Sequence, residues 1–264
     1  MVKTAAGSIQ DTAGTRSALP HDGAGQYVPT LVDRWDGLID WDRRREGEQD
    51  FFVELLKEVG AHRVLDVAAG TGFHSVGLAE AGFDVTAADG SLEMLRRAVA
   101  NGEKYGRRFE AIHTDWRTLA QHIDGRYDAV VCLGSSFPHL FAEADRRAVL
   151  AQFYEALNPG GVLVLDHRNF DAIRMHRYRS SGNFYYCGKD ARVSVAHVDD
   201  ELCRFQYDFP DGATHHLEVY PILKDELNSL LTQTGFDTVQ DFGDFSAEFD
   251  IHESDFIIHA ARKS

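Results

Sequence analysis

The segment Leu65-Asp-Val-Ala-Ala-Gly-Thr-Gly72 constrains the fold more than any other part of the sequence. It overlaps an apolar run, 63–67, that is typical of a buried strand, and it precedes an amphipathic stretch, 73–81, that is typical of a helix. Gly70 and Gly72 lack the Cβ atoms that would keep a ligand away from the backbone, and the first amides of the helix are free to donate hydrogen bonds. The pattern therefore predicts a strand, a tight turn and a helix that form a ligand-binding corner.

Short apolar runs alternate with amphipathic stretches along most of the remaining chain. Repeated β-α-β units of this kind predict a doubly wound α/β fold, with a mostly parallel sheet covered by helices on both faces. Beyond Phe170 the rhythm breaks into short alternating segments, such as 205–209, that are separated by turn signals. We expect a mobile N-terminal arm over residues 1–26, a main domain over 27–174 and 222–264, and an antiparallel β insertion over 175–221 that serves as a lid.

The same patterns predict the individual elements of the main domain. Strands are expected over 63–67, 84–88, 109–112, 127–133 and 162–166, and two further β segments are expected before the C-terminus. Helices are expected from residue 27, where apolar residues take helical spacing, and over 43–59, 73–81, 92–105, 145–157 and 224–234.

Net charge, cysteine usage and histidine spacing indicate which partners, cellular location and metals to expect. The formal net charge of −15 repels phosphate backbones and anionic lipids, so neither nucleic acid nor membrane is expected as a partner. Cys132, Cys187 and Cys203 occur singly, and the N-terminus has no apolar stretch of signal-peptide length, so we expect a cytoplasmic protein. The thirteen histidines show no H-E-x-x-H or similar spacing, so no metal is expected.

Acidic residues after two later strands indicate what the glycine corner binds. Asp89 ends the second strand, where a carboxylate can accept hydrogen bonds from both hydroxyls of a ribose. Asp115 and Trp116 follow the third strand and offer a carboxylate and an aromatic face to an adenine. Nicotinamide enzymes use a similar turn, but Ser75 stands where their fingerprint has its third glycine, and S-adenosylmethionine is therefore the favoured cofactor. Asp66 is either a structural acid that caps the turn or a ligand contact.

Several longer segments add a family resemblance. They are 63–72, 88–95, 131–140 and 165–171, together with the N-terminal region 32–42 and the tail at 243–245. They resemble glycine N-methyltransferases, and most of all the glycine sarcosine N-methyltransferases of bacterial and archaeal betaine synthesis. The likeness covers nearly the whole chain after residue 26. It implies methylation of glycine and then of sarcosine, a role in osmoprotection, and a homo-oligomer.

The resemblance also implies site residues. Expected cofactor contacts are Tyr27, Trp35, Arg44, Ala68, Asp89, Asp115, Trp116 and Leu133, with the arginine facing the methionine carboxylate; the strand ends add Gly70 and His139. Expected acceptor contacts are Ser135, Arg168 and Tyr207, and the groups expected at the reacting atoms are Arg168, Tyr207 and Tyr220.

One of these positions departs from the family pattern. Ser135 stands where the family usually has asparagine, and serine is shorter and lacks the second polar group of the amide. Another small carboxylate-bearing amine is therefore an alternative acceptor. Arg168 suits either substrate, because a guanidinium grips a carboxylate through two parallel hydrogen bonds.

The remaining polar residues have structural alternatives. Tyr207 and Tyr220, and also Tyr185 or Tyr186, can orient an amine, but without the resemblance cross-strand packing is the favoured explanation for any one tyrosine in a hairpin. His139 is either a base or a structural hydrogen-bonding group. Two alternatives belong to functional classes other than methyltransferases: a nicotinamide-dependent oxidoreductase, and a regulator that binds the cofactor without turnover.

Overall fold

The computed structural model describes residues 9–11, 23–177 and 191–264, so Tyr185, Tyr186 and Cys187 lie outside the described residues. The helices are α1 Pro29–Ile39, α2 Trp41–Glu48, α3 Phe51–Glu58, α4 Phe73–Glu80, α5 Leu92–Lys104, α6 Glu143–Ala156, α7 Phe170–Arg174 and α8 Lys224–Thr234. The strands are β1 Ile9–Asp11, β2 Arg63–Asp66, β3 Asp84–Asp89, β4 Glu110–His113, β5 Tyr127–Cys132, β6 Leu157–Arg168, β7 Arg192–Val198, β8 Cys203–Asp208, β9 Thr214–Val219, β10 Thr238–Gly243 and β11 Phe256–Arg262.

The central sheet confirms the predicted doubly wound fold. Within the described residues its strand order is β1-β4-β3-β2-β5-β6-β11-β10, and all neighbours are parallel except at β11, which runs antiparallel to both β6 and β10. The inner strands β2, β5 and β6 are buried on both faces, as their continuous apolar runs require. Because the parallel strands end at one edge, the residues that follow β2 to β6 come together there.

The predicted antiparallel insertion is also present. The strands β7, β8 and β9 form a separate antiparallel sheet within residues 192–219, inside the predicted range of 175–221. Along β8 the side chains of Cys203, Phe205 and Tyr207 are buried, whereas the residues between them are only partly covered. This period of two shows that one face of the small sheet packs on the main domain.

Two predicted elements were wrong in extent. The helix expected over 43–59 is two helices, α2 and α3, because the chain turns at Gln49, which has a φ of +50°. The strand expected over 162–166 runs from Leu157 to Arg168. The strand begins early because residues before the apolar run also pair with neighbouring segments. Leu157 lies opposite Tyr127, and the Gly160 amide donates to the Lys263 carbonyl.

Part of the predicted N-terminal arm has regular structure. Ile9–Asp11 pairs in parallel with β4 at the edge of the central sheet, and side-chain contacts from Gln10 to Glu110 and from Asp11 to His113 support the register. Residues 23–26 form a 3-10 turn before α1. Mobility of the arm stays a prediction. No helix in the described ranges is long and apolar enough to span a membrane.

The two glycines of the turn after β2 have different structural roles. A Cβ at Gly72 would lie 2.9 Å from the Cα and 3.1 Å from the Cβ of Ala98 on α5. A Cβ at Gly70 would approach only the Ala68 carbonyl oxygen, at 3.9 Å. Gly72 therefore permits close packing of the turn on α5. Of the two glycines, it is Gly70 that leaves open space beside the backbone.

We expect Gly72→Ala to lower the free energy of unfolding by about 3 kcal/mol, because a positive φ and an overlap with Ala98 both oppose the new Cβ. Gly82→Ala is the matched control: its φ of +96° is close to the +93° of Gly72, but nothing lies within 4 Å of the added Cβ. The control should lose only the conformational part, about 1 kcal/mol. Urea unfolding of both variants measures the difference, and equal losses would contradict the packing role of Gly72.

Candidate active site

The carboxyl ends of β2 and β3 meet at the glycine turn. The Gly70 amide donates to Asp89 Oδ2 at 2.8 Å, and the Ser91 amide donates to Asp89 Oδ1 at 2.7 Å. Burial raises the pKa of Asp89 to about 6, although these two amide hydrogen bonds oppose the shift. Each carboxylate oxygen keeps a lone pair for a further donor. With the open space beside Gly70, this edge suits the adenosine part of a cofactor.

The hydrogen bonds of Asp66 favour the first of its two predicted roles, a structural acid that caps the turn. Its Oδ2 accepts a 2.6 Å hydrogen bond from the hydroxyl of Ser75, and its Oδ1 accepts from the Ala68 amide at 3.3 Å. Asp66 is buried, and burial raises the pKa of its carboxyl. The turn is thus fixed by Asp66 from one side and by Asp89 from the other, with the predicted contact Ala68 between them.

Asp115 and Trp116 lie where β4 ends, as predicted, and both already have protein partners. Asp115 caps the 3-10 turn that follows by accepting from the Arg117 amide at 2.8 Å, and it forms an ion pair with the Arg117 guanidinium at 3.0 Å. The indole nitrogen of Trp116 donates to the Val67 carbonyl at 2.5 Å, and its ring packs edge-on against Phe153. The indole is therefore held in place beside the turn after β2.

Ser135 and Arg168 are brought together at the ends of β5 and β6. The Ser135 amide donates to Asp166 Oδ1 at 2.7 Å, and the Ser135 hydroxyl accepts from the Arg168 amide at 3.1 Å. Ser135 has a φ of +56°, a conformation that asparagine adopts more readily than most residues. The family residue at this position therefore fits the same backbone. Leu133, just before the turn, is buried in the core.

Arg168 lies between the central sheet and the insertion. Its guanidinium carbon is 4.9 Å from the ring centre of Phe205 in β8 and 5.4 Å from that of Phe256 in β11, and the residue is 2% exposed. Nearby, burial raises the pKa of the Cys203 thiol to about 12, although the charge of Arg168 opposes the shift. A cation in such dry surroundings interacts strongly with an anionic group.

The two predicted tyrosines differ in their surroundings. Tyr207 is 1% exposed and belongs to the main hydrophobic cluster, which is what the packing alternative requires. The Tyr220 hydroxyl donates to Glu226 Oε2 at 3.2 Å, and the guanidinium carbon of Arg146 lies 3.8 Å from its ring centre. Burial and Glu226 together raise the pKa of Tyr220. The Tyr220 amide donates to the Pro138 carbonyl, which ties the residue to the turn after β5.

The N-terminal segment before α1 closes over the same turn. The Tyr27 hydroxyl lies 2.9 Å from His139 Nε2, and the Tyr27 ring packs edge-on against Trp35. Gln26 forms two hydrogen bonds with the backbone of Glu218 in β9, at 2.9 and 2.6 Å. Burial lowers the pKa of His139 to about 4, so the ring is neutral near pH 7 and is held by hydrogen bonds. The structural alternative for His139 is therefore favoured over the base.

Arg44 belongs to a buried ionic cluster on the other side of the glycine turn. Its Nε donates to Glu48 Oε1 at 2.5 Å, and its guanidinium carbon lies 4.5 Å from the ring centre of Phe73. His74, on the first turn of α4, lies 3.0 Å from the second oxygen of Glu48. Burial alone would raise the pKa of Glu48, but Arg44 and His74 outweigh it and lower the value.

Sequence reasoning missed the groups that hold these side chains. The spacing of Arg44 and Glu48, four residues apart in a helix, could have indicated their pairing. Nothing local indicates that His74 or Asp166 completes a cluster, because their partners come from distant parts of the chain. In the described part of the chain no group of three or more His, Cys, Asp or Glu side chains is placed to bind a metal.

Comparison with known proteins agrees with this geometry. Residues 64–161 match the family described as a methyltransferase domain. The fold resembles the crystal structure of an S-adenosylmethionine-dependent methyltransferase from Clostridium acetobutylicum, with a TM-score of 0.72 and 18% identity over 89% of this chain and 98% of the other. The doubly wound α/β fold, the matched domain and the names of the relatives described next define the class: a methyltransferase.

Curated relatives narrow the class to a family. The chain is 53% identical to a glycine/sarcosine N-methyltransferase from Halorhodospira halochloris, over 90% of this chain and 89% of that protein. It is 46% identical to a glycine/sarcosine N-methyltransferase from Aphanothece halophytica, over 90% of each chain. The protein belongs to the glycine/sarcosine N-methyltransferase family, as the resemblance predicted.

We expect the affinity for S-adenosylmethionine to fall as the pH drops through about 6. Ribose hydroxyls bound at Asp89, as predicted, would donate more strongly to its ionised carboxylate than to the neutral acid, so they would lower its pKa in the complex below the value of about 6 in the free protein. Binding is then strongest above pH 6, and below it the affinity weakens by up to about tenfold per pH unit. Calorimetry between pH 5 and pH 7.5 measures this dependence.

Asp89→Asn should bind the cofactor more than about tenfold more weakly at pH 7.5, with no step near pH 6. Asp211→Asn is the control, because Asp211 pairs with Arg34 on the surface and has a pKa of about 2. The same pH dependence in Asp89→Asn as in the unmodified protein would remove Asp89 from the ribose site.

Proposed function

We propose that the protein transfers the methyl group of S-adenosylmethionine to the nitrogen of glycine, and then to that of sarcosine, as a step in betaine synthesis. The observation that carries this proposal is Arg168, a buried guanidinium at the end of β6 that lies beneath the insertion and is bonded through its backbone to Ser135. Such a cation can bind the carboxylate of a small amino acid. The names of the two relatives support the same acceptors.

The reaction needs little covalent help from the protein. Bound S-adenosylmethionine supplies a methyl group on a positively charged sulfur: the amine nitrogen forms the new N–C bond as the C–S bond breaks, and the thioether leaves. The product ammonium then releases a proton. The contribution of the chain is to hold the amine and the methyl group in line, because this alignment removes much of the entropic part of the activation free energy.

No histidine base is needed in this scheme. His139 is neutral near pH 7 and lies against the Tyr27 hydroxyl, so we assign it to holding the N-terminal segment over the site. The amine can react through its small unprotonated fraction, and the rate should rise with pH for that reason. Tyr207 and Tyr220, from the insertion side, would exclude water and orient the acceptor.

Ser135 supports a second candidate, methylation of another small carboxylate-bearing amine. Its hydroxyl is shorter than an asparagine amide and already accepts a hydrogen bond from the Arg168 amide, which leaves one donor to offer a substrate. An acceptor slightly larger than glycine could fill the space. A cytoplasmic location and assembly as a homo-oligomer also remain parts of the proposal.

We expect methyl transfer to glycine and sarcosine, but not to dimethylglycine or larger amino acids, when products are read by mass spectrometry. The bound carboxylate fixes one end of the acceptor, so the amine must be small enough to meet the methyl group in line. Turnover of a different small amine would favour the second candidate. Cofactor binding with no turnover of any amine would favour the silent regulator.

Arg168→Ala should lower kcat/KM for glycine by about 100-fold or more while the dissociation constant of the cofactor changes by less than about twofold. Arg168→Lys keeps the charge but loses the two-pronged geometry, and it should be intermediate. Arg204→Ala is the control: Arg204 lies on the same insertion but pairs with Glu218 at the surface. A parallel loss of cofactor affinity in Arg168→Ala would remove Arg168 from the acceptor site.

A further inference from the structure

A chain of buried polar side chains lies behind Arg168. It begins at the Arg168 carbonyl, passes through His167 and His259, and ends at Asn228 and Asp241. Both imidazoles are almost completely buried, at 1% and 0% exposed. The sheet brings them together: Asp241 lies opposite His259 in the pairing of β10 with β11, and His259 is a diagonal neighbour of His167 in the pairing of β11 with β6.

Three contacts within this chain are hydrogen bonds, and the fourth, between His259 and Asp241, is an ion-pair contact. His167 Nδ1 lies 2.7 Å from the Arg168 carbonyl oxygen, and the Nε2 atoms of His167 and His259 lie 3.0 Å apart. His259 Nδ1 lies 2.8 Å from Asn228 Oδ1 and 2.9 Å from Asp241 Oδ1. The imidazole centres are 5.1 Å apart and their planes differ by 20°, so the rings are nearly parallel while their Nε2 atoms stay within hydrogen-bond distance.

These partners fix where the protons lie. A carbonyl oxygen only accepts, so His167 Nδ1 must carry hydrogen. His259 Nδ1 faces two oxygens and must also carry hydrogen. If both rings were neutral, each Nε2 would then be an acceptor, and two lone pairs would face each other at 3.0 Å. One more proton is therefore required between the rings.

The Asp241 carboxylate orients the side-chain amide of Asn228. Its Nδ2 donates to Asp241 Oδ2 at 2.7 Å, so its Oδ1 is the atom that faces His259. Reversing the amide would place an oxygen 2.7 Å from the Asp241 carboxylate and leave that carboxylate without the donor. Lys224 Nζ, 3.3 Å from the same carboxylate oxygen, completes the set of charged groups around Asp241.

The position of Asp241 favours His259 as the ring that carries this proton, because the carboxylate lies against His259 and not against His167. Burial alone would raise the pKa of Asp241, but the adjacent His259, with Asn228 and Lys224, outweighs it and lowers the value to about 2. Its Oδ1 receives no hydrogen bond of good geometry from any described group, so a positive ring beside it is its main compensation. Burial and the charge of His259 lower the pKa of His167 to about 3, so that ring is neutral.

We propose that His259 is a buried imidazolium and that the chain Asp241–His259–His167 positions Arg168 for the acceptor carboxylate. The part concerning Arg168 rests on the proposed function, whereas the charge of His259 does not. His259 Nε2–H donates to His167 Nε2, which leaves His167 in the tautomer whose Nδ1–H donates to the Arg168 carbonyl. That bond fixes the peptide from which the guanidinium projects, much as outer partners orient the ligands of a metal.

The charge is tested by NMR on protein labelled with ¹⁵N-histidine. At pH 8 most histidines are neutral, so the spectrum should contain an imidazolium signal, with hydrogen on both ring nitrogens, that disappears in His259→Gln. Asp241→Asn removes the paired anion and should convert the same signal to a neutral ring at pH 8. A neutral His259 at pH 8 in the unmodified protein would overturn the proposal.

The positioning role is tested by comparing His167→Asn with His167→Leu. An asparagine amide can replace the Nδ1–H donor towards Arg168, whereas leucine cannot. We expect His167→Leu to raise KM for glycine about tenfold or more, with kcat changed less and the cofactor dissociation constant within about twofold, and His167→Asn to recover most of the loss.

Tyr127→Phe is the matched control, because it removes another buried side-chain hydrogen bond, to Thr86, at the opposite end of β5. If it raises KM as much as His167→Leu, or if asparagine gives no recovery, the chain is structural only and the positioning role fails. Glycine turnover by the unmodified protein reports on the proposed function by itself. The imidazolium signal reports on His259 whatever the acceptor is.

Discussion

The candidate site depends on the way two carboxylates hold the turn after β2. Asp66 accepts from the Ser75 hydroxyl and the Ala68 amide, and Asp89 accepts from the Gly70 amide. These hydrogen bonds stabilise two carboxylates whose burial would otherwise be unfavourable, and they orient the amides of the turn towards those carboxylates. Because these hydrogen bonds hold the turn in one conformation, they also preserve the open space beside Gly70 at the ends of the strands.

Much of this arrangement could be predicted from the sequence. Period-two and period-3.6 patterns predicted most of the strands and helices, and the strand ends indicated Asp89 and Trp116 as ligand contacts. The family resemblance supplied the acceptor and the particular residues. Spacing alone could not have chosen glycine, because a carboxylate-binding arginine accepts many small amines.

The remainder depends on contacts between residues that are distant in the chain. Gln49 interrupts a helical pattern through a single residue with a positive φ, which periodicity does not detect. The Val67 carbonyl that accepts from the Trp116 indole lies 49 residues away in the chain, and the residue type of Trp116 does not indicate this partner. The meeting of His167 and His259, 92 residues apart, requires the antiparallel placement of β11, which nothing in either segment specifies.

The three-residue strand β1 gives the sheet a protected border. Without Ile9–Asp11, the amides and carbonyls of β4 that now pair with it would face solvent along Glu110–His113, and unpaired strand edges recruit strands from other molecules. The beginning of the chain thus occupies an edge that could otherwise pair with a strand of another molecule, at a position far in sequence from the strand that it covers.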